Sequence, residues 1–293
     1  MRAKRSVFAL TAVGALAASF GLATGGRASG SADVDLKVFR GLVYRVVEGQ
    51  TLRLDAYLPV SPQSVRAVVV VVHGGGWRSG TRAAFAPGEA SVEPTARLFA
   101  ARGWATFSID YRLAPESRFP AQLSDVQSAI AWVRRHHLRY RIDPRRVALL
   151  GASAGGNLAV LAALTAAPGA RPVAAVSWSG PMDLTTFYDG LSKGASRPFV
   201  ADYLGCTPAA CPARYREASP LDHVTAASPP ILLTNGSSEI VPLEQAREMA
   251  AALQAKRVPH TLIVVAGSRH AADYEAAVID RTISFLANRF SRR

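Results

Sequence analysis

The sequence predicts an α/β fold, a doubly wound and mostly parallel sheet, and three observations carry that expectation. The run from Ala67 to Val72 is apolar throughout, as a strand buried on both faces requires. Downstream of it, short apolar runs alternate with segments of helical spacing almost to the end of the chain. In "VALLGASAGGNLAVLAAL", residues 147–164, the pattern changes from strand to helix at Ser153, among Gly151, Gly155 and Gly156.

The elements follow in order. "LKVFRGLVYR" and "QTLRLDAYLP" show partial alternation and are expected to form two antiparallel strands ahead of the buried run. A helix around Val92 to Ala101 precedes the strand "WATFSIDY". Leu123, Val126, Ile130 and Val133 then repeat at helical spacing. Val147 to Leu150 is the next strand and the segment after Ser153 the next helix. "VAAVSWSG", "PILLTNG" and "HTLIVVAG" complete the strands, with helices at about Pro242 to Leu253 and Ala272 to Leu286. From Pro181 to about Ser228 the pattern breaks down into Gly, Pro and aromatic residues. A long excursion after the sixth strand, beyond the carboxyl ends of a parallel sheet, is expected to form a lid over the site.

With 293 residues, 49% hydrophobic and 19% charged, the chain can bury a large single core. Residues 1–32 have a basic tip at Arg2, Lys4 and Arg5, an apolar stretch from Val7 to Ala23, and small residues at Ala28, Gly30 and Ala32. That is the layout of a secretory signal, cleaved near Gly30 or Ala32. The rival, an uncleaved transmembrane anchor, needs a longer and less diluted apolar segment. Residues 33–293 then form one α/β domain with a lid-like insertion at about 181–228, and a secreted or cell-envelope location follows. Cleavage removes four bases and no acids, which lowers the formal charge from +13 to +9.

This basic balance admits anionic partners. The densest cluster, Arg134 to Arg146, nevertheless lacks the glycine-rich loops or spaced aromatics of a base-stacking surface and reads as a solvated face. Neither nucleic-acid binding nor stable membrane insertion of the mature chain is expected. Cys206 and Cys211 are too few for a tetrahedral metal site, and in an oxidising compartment they are expected to form a local disulfide.

Gly151-Ala152-Ser153-Ala154-Gly155 fits G-x-S-x-G. A nucleophile projecting from a sharp strand-to-helix turn needs strained backbone angles and neighbours without side chains. The helix that follows points its positive end at a developing oxyanion. "HGGGW", His73 to Trp77, comes directly after the buried strand, where consecutive glycines let amides converge on a small anion. No Gly-Lys-Ser/Thr follows, so a phosphate loop does not fit. His73 precedes the glycines and is expected to brace the loop.

"HGGGW", "DYRLAPE" at Asp110 to Glu116, "FPAQLSDV", "GASAGGNLA" and "GSRHA" together resemble the hormone-sensitive-lipase-like and bacterial carboxylesterase branches of the α/β-hydrolase fold. The resemblance spans most of residues 65–290. It implies Ser153 as nucleophile, with the amides of Gly75, Gly76 and Ala154 as oxyanion hole and Gly74 shaping the loop. Hormone-sensitive-lipase relatives usually carry an acid at the position of Ala152, so this chain leans toward the branch with feruloyl-esterase-like and formamidase-like members.

His270, in a small-residue loop after the last strand, is the expected base, in the order Ser, acid, His. His136, His137, His223 and His260 are expected to be structural or solvated. Glu239 is the expected acid, with Ser238 where relatives often have Asp, and with Asp183, Asp222 and Glu244 as fallbacks. Asp110 and Glu116 could suggest a paired-carboxylate glycosidase; the resemblance has them brace the oxyanion loop and the floor of the site.

The expected function is that of an exported serine carboxylesterase cleaving short-chain or aryl esters through an acyl-enzyme, with a small ester as its partner and neither metal nor organic cofactor. Amide or formamide hydrolysis by the same triad stays open, as does a catalytically silent binding protein on the same fold. Trp77, Phe187, Tyr188, Phe199 and Tyr203 suit either an aromatic pocket or the core of the lid.

Overall fold

The computed structural model describes residues 34–60, 65–88, 90–190 and 197–291. The expected signal at 1–32 lies outside the described residues. β1 (Leu36–Val47) and β2 (Gln50–Pro59) form the antiparallel opening pair and are followed by β3 (Arg66–Val72). Next come α1 (Val92–Ala100), β4 (Ala105–Ile109), α2 (Ala121–Arg135) and the single turn α3 (His137–Tyr140). β5 (Ile142–Ala152), α4 (Ala154–Thr165) and β6 (Ala174–Trp178) build the middle of the molecule. α5 (Leu184–Gly190), α6 (Arg197–Leu204) and α7 (Pro212–Ala218) interrupt the alternation. β7 (Ile231–Gly236), α8 (Leu243–Ala255), β8 (His260–Val265) and α9 (Glu275–Phe290) then complete it.

The eight strands form one sheet in the order β1-β2-β4-β3-β5-β6-β7-β8. β1 and β2 run antiparallel to their neighbours, and every later pairing is parallel. The apolar run in β3 reflects its central place: Val68, Val70 and Val72 face one core with α2, α4 and α8, while Val69 and Val71 face the other with α1 and α9. α4 is buried on every side from Ala154 to Leu164, which is why its sequence is apolar all round.

β5 begins earlier than its apolar run indicates, because Arg66 already pairs with Ile142. The intervening Asp143 to Arg146 are partly buried or, at Arg145, exposed, so polar residues are tolerated in that stretch of strand. The excursion after β6 is also more ordered than its composition suggests. α5 buries Leu184 and Phe187, and α6 buries Val200, Tyr203 and Leu204. Helices with two or three inward side chains are too short to show a period. Cys206 and Cys211 are joined as a disulfide between α6 and α7. Among the described residues no helix is long and apolar enough to cross a membrane.

Candidate active site

The carboxyl ends of β3, β5, β6, β7 and β8 carry the loops of the site, the end at which open α/β sheets place their ligands. Ser153 stands between β5 and α4 with φ 53° and ψ −121°, a strained left-handed conformation for a residue with a side chain. Its amide donates to the Trp178 carbonyl at 2.7 Å, which fixes the turn against β6. The glycines around it are explained by close approach. A Cβ on Gly151 would collide with the Gly155 carbonyl, and one on Gly155 would collide with the carbonyl oxygens of Val72 and His73 at the end of β3. Ala154 opens α4, so its amide has no partner within the helix.

The loop after β3 faces this turn. The Gly74 amide is committed to the Phe85 carbonyl, whereas Gly75 and Gly76, at φ 99° and 60°, line the cavity beside Ser153 and Ala154. His73 is wholly buried, stacks on Tyr111 at 4.1 Å and hydrogen-bonds the Gly74 carbonyl at 2.8 Å. Burial lowers its pKa to about 4, which keeps it neutral. It braces the loop. Asp110 does as well, accepting from the Arg82 amide at 2.9 Å and from its guanidinium at 2.7 Å. In "FPAQLSDV", Asp125 is buried and pairs with Arg112 at 2.8 Å, pinning the segment that follows β4.

Glu116 departs from expectation. Its side chain is exposed, makes no hydrogen bond or ion pair among the described residues, and lies on a separate surface cleft with Gln50, Thr81 and Asp110. The turn of "LAPESRF" buries Ala114, Ser117 and Phe119 and so directs Glu116 outward.

The loops after β7 and β8 bring Glu239 and His270 together. His270 Nδ1 is hydrogen-bonded to Glu239 Oε2; the carboxylate is fully buried, while the ring keeps 23% exposure and reaches the cavity. Glu239 Oε1 accepts from the Gly236 amide and from Ser179 Oγ at 2.6 Å. The fallback acids lie elsewhere. Asp183 caps α5 through the Thr185 amide at 2.8 Å, Glu244 pairs with Arg247 at 3.1 Å, and Asp222 lines a surface hollow with His223. The remaining histidines bond local carbonyls: His136 that of Trp132, His137 that of Arg134, His223 that of Glu217 and His260 that of Val258.

A cavity of about 330 Å³ joins Ser153, His270 and the three amides. Phe187, Phe199, Val200, Ile240 and Val241 make much of its wall apolar. The five aromatics divide between the two expected uses. Trp77, Phe187 and Phe199 line the cavity, whereas Tyr203 stacks behind Trp77 at 4.5 Å and Tyr188 packs edge-on against Tyr215. Sequence reasoning missed Ser179 and Tyr274, which sit behind Glu239, and Ile240 and Val241 in the wall. The available signal for Ser179 was its place at the end of a buried strand, in "SWSGP".

The family model BD-FAE matches residues 54–253. Esterase LipC of Mycobacterium tuberculosis is 34% identical over 208 residues, covering 66% of this chain and 50% of that protein. The probable carboxylic ester hydrolase LipM of the same organism is 32% identical over 219 residues, covering 70% and 49%. The chain thus spans about half the length of these curated relatives. Among solved structures, a truncated carbohydrate esterase from gut microbiota superposes with TM-score 0.77 at 23% identity, covering 89% of this chain and 99% of that one, a likeness of fold. The native esterase Est2 of Thermogutta terrifontis gives TM-score 0.66 at 26% identity, covering 89% and 92%. With the strand order, the turn at Ser153 and these matches in agreement, the chain belongs to the BD-FAE family and has the α/β-hydrolase fold.

Proposed function

We propose that the protein is an exported serine carboxylesterase acting on short-chain or aryl esters. The observation that carries this reading is the convergence on one cavity of a serine at a strained turn, an imidazole held by a buried carboxylate, and the oxyanion-loop glycines. Ser153 attacks the ester carbonyl as His270 takes its proton at Nε2. Glu239 holds the ring through Nδ1, so Nε2 faces the reaction, and its charge offsets that of the imidazolium. The amides of Gly75, Gly76 and Ala154 donate to the oxyanion of the tetrahedral intermediate. His270 then protonates the departing alcohol, and the acyl-enzyme is hydrolysed by water that the same imidazole activates.

The cavity volume and its apolar wall favour a small acyl group. Relatives named as esterases favour ester chemistry. The basic tip and apolar stretch of residues 1–32 favour export. Similarity to rabbit arylacetamide deacetylase, 39% over 103 residues, favours a second reading in which an aryl amide serves as substrate.

Purified enzyme tested on chromogenic esters of increasing acyl length, with a matched anilide and Ser153→Ala beside it, decides between these. Turnover of short esters, reduced about 10⁵-fold or more in the variant, is expected for loss of a nucleophile. Equal turnover by the variant would sink the assignment, and preference for the anilide would favour the second reading.

A further inference from the structure

We propose that Ser179 is a positioning residue for the acid and base, an inference that rests on the assignment of Glu239 as the triad acid. Ser179 follows β6, is completely buried, and has φ 54°. Its Oγ lies 2.6 Å from Glu239 Oε1, 2.6 Å from Tyr274 Oη, and accepts the Ala271 amide at 3.0 Å. One hydroxyl therefore touches the carboxylate whose other oxygen holds His270, and also the amide of the residue next to that histidine. It ties together the loops after β6, β7 and β8.

Counting protons gives the chain a direction. An ionised carboxylate only accepts, so the single Ser179 proton goes to Glu239. Tyr274 is then the donor to Ser179, since its proton has acceptors at Ser179 Oγ, 2.6 Å away, and at the Thr234 carbonyl, 3.0 Å away, and the shorter contact takes it. Thr234 Oγ1, at 3.0 Å from Tyr274 Oη, donates in turn. The result is an ordered series from Thr234 through Tyr274 and Ser179 to Glu239, in which each donor polarises the next. Burial raises the Tyr274 pKa, so its phenol keeps the proton that the series uses.

The backbone points the same way. Left-handed angles favour glycine, yet a serine occupies this position, with its amide bonded to the Thr234 carbonyl at 2.8 Å. The hydroxyl is what the position gains over glycine.

Ser179→Gly removes the hydroxyl and relieves the backbone together. The expected result is a folded protein whose thermal midpoint stays within about 5 °C of wild type, because the relieved backbone offsets part of the cost of the lost hydrogen bonds, with kcat on a short ester lower by about 10- to 100-fold and KM within about twofold. Tyr274→Phe should lower kcat less and add little to Ser179→Gly. In a Glu239→Gln background, Ser179→Gly should have no further effect on kcat. Wild-type kcat in both Ser179→Gly and Tyr274→Phe, with Glu239→Gln crippled, overturns this inference alone. A full additional loss in the Glu239→Gln background overturns it too. Wild-type activity of Glu239→Gln overturns the acid assignment and this inference with it.

Discussion

The site has two halves that are held in different ways. Ser153 and the loop after β3 are fixed by backbone: glycines in contact with carbonyls, a left-handed turn, and a helix that starts directly after Ser153. Glu239 and His270 stand on loops after the last two strands and are fixed by side-chain hydrogen bonds to one another and to Ser179. The backbone scaffold of the first half, as distinct from the Ser153 hydroxyl it presents, can be broken only by disturbing the fold, because its parts are also parts of the central sheet. A half built from side chains can lose function while the fold stands.

The largest effect belongs to the first half. Gly155→Ala places a methyl against the carbonyl oxygens of Val72 and His73, atoms held in the middle of the sheet. Overpacking of a core typically costs about 1–3 kcal/mol, and more where the obstacle is backbone that cannot turn aside. The expected outcome is insoluble protein or a thermal midpoint lower by about 10 °C, read by calorimetry. A variant of normal stability would show that the turn at Ser153 has room to move and would remove the contrast.

Glu239→Gln tests the second half. An amide of the same shape keeps the packing and loses the charge that orients the imidazole. A fall in kcat of about 10³- to 10⁴-fold is expected, with the thermal midpoint little changed. Near-normal kcat would move the role of acid to another residue.

The same contrast explains how far the sequence could be read. Glycines next to Ser153 and in "HGGGW" are visible because backbone crowding selects one residue type, and β3 is visible because burial on two faces leaves no room for polarity. Glu239 was harder to single out, since a carboxylate on a loop has no period and several others compete. Ser179 was missed for a related reason: its place at a strand end is a signal shared by many serines, and its bonds to three distant groups exist only once the chain is folded. Glu116 was misread because its neighbours belong to a family pattern while its own side chain faces water. Among its described residues the excursion after β6 hid three α-helices, each too short to repeat its apolar positions.

His73 offers a titration of the first half. Its pKa is about 4 in the folded protein, against about 6.5 when unfolded, so the unfolded chain binds more protons between those values. Stability contributed by neutral His73 is therefore complete above about pH 6.5 and is lost as pH falls toward 4, by at most about 3 kcal/mol. The thermal midpoint of wild type should decline over that window. His73→Asn, which has nothing to protonate, should be less stable at neutral pH but flatter with pH. An unchanged slope in the variant would mean that other groups cause the decline.

The smallest effect concerns the cap, which depends on the first half for its seat. Trp77 stacks flat on Tyr203, and Arg78 pairs with Asp202 at 3.2 Å while lying 5.0 Å above the ring of Phe199. These contacts set α6 on the loop after β3 and press Phe199 against Gly76, where a Cβ would stand 3.1 Å from the ring. Phe199 thereby fills space in the cavity beside Gly76. Phe199→Ala opens that space without touching the triad, and each additional buried methylene contributes about 0.8 kcal/mol. The ratio of kcat/KM for a long acyl ester to that for a short one should rise about tenfold, while the short ester loses little. An unchanged ratio would place the limit on chain length elsewhere in the wall, with Phe187 and Val200 the next to test, and would separate the cap's seat on the oxyanion loop from the selection of substrate.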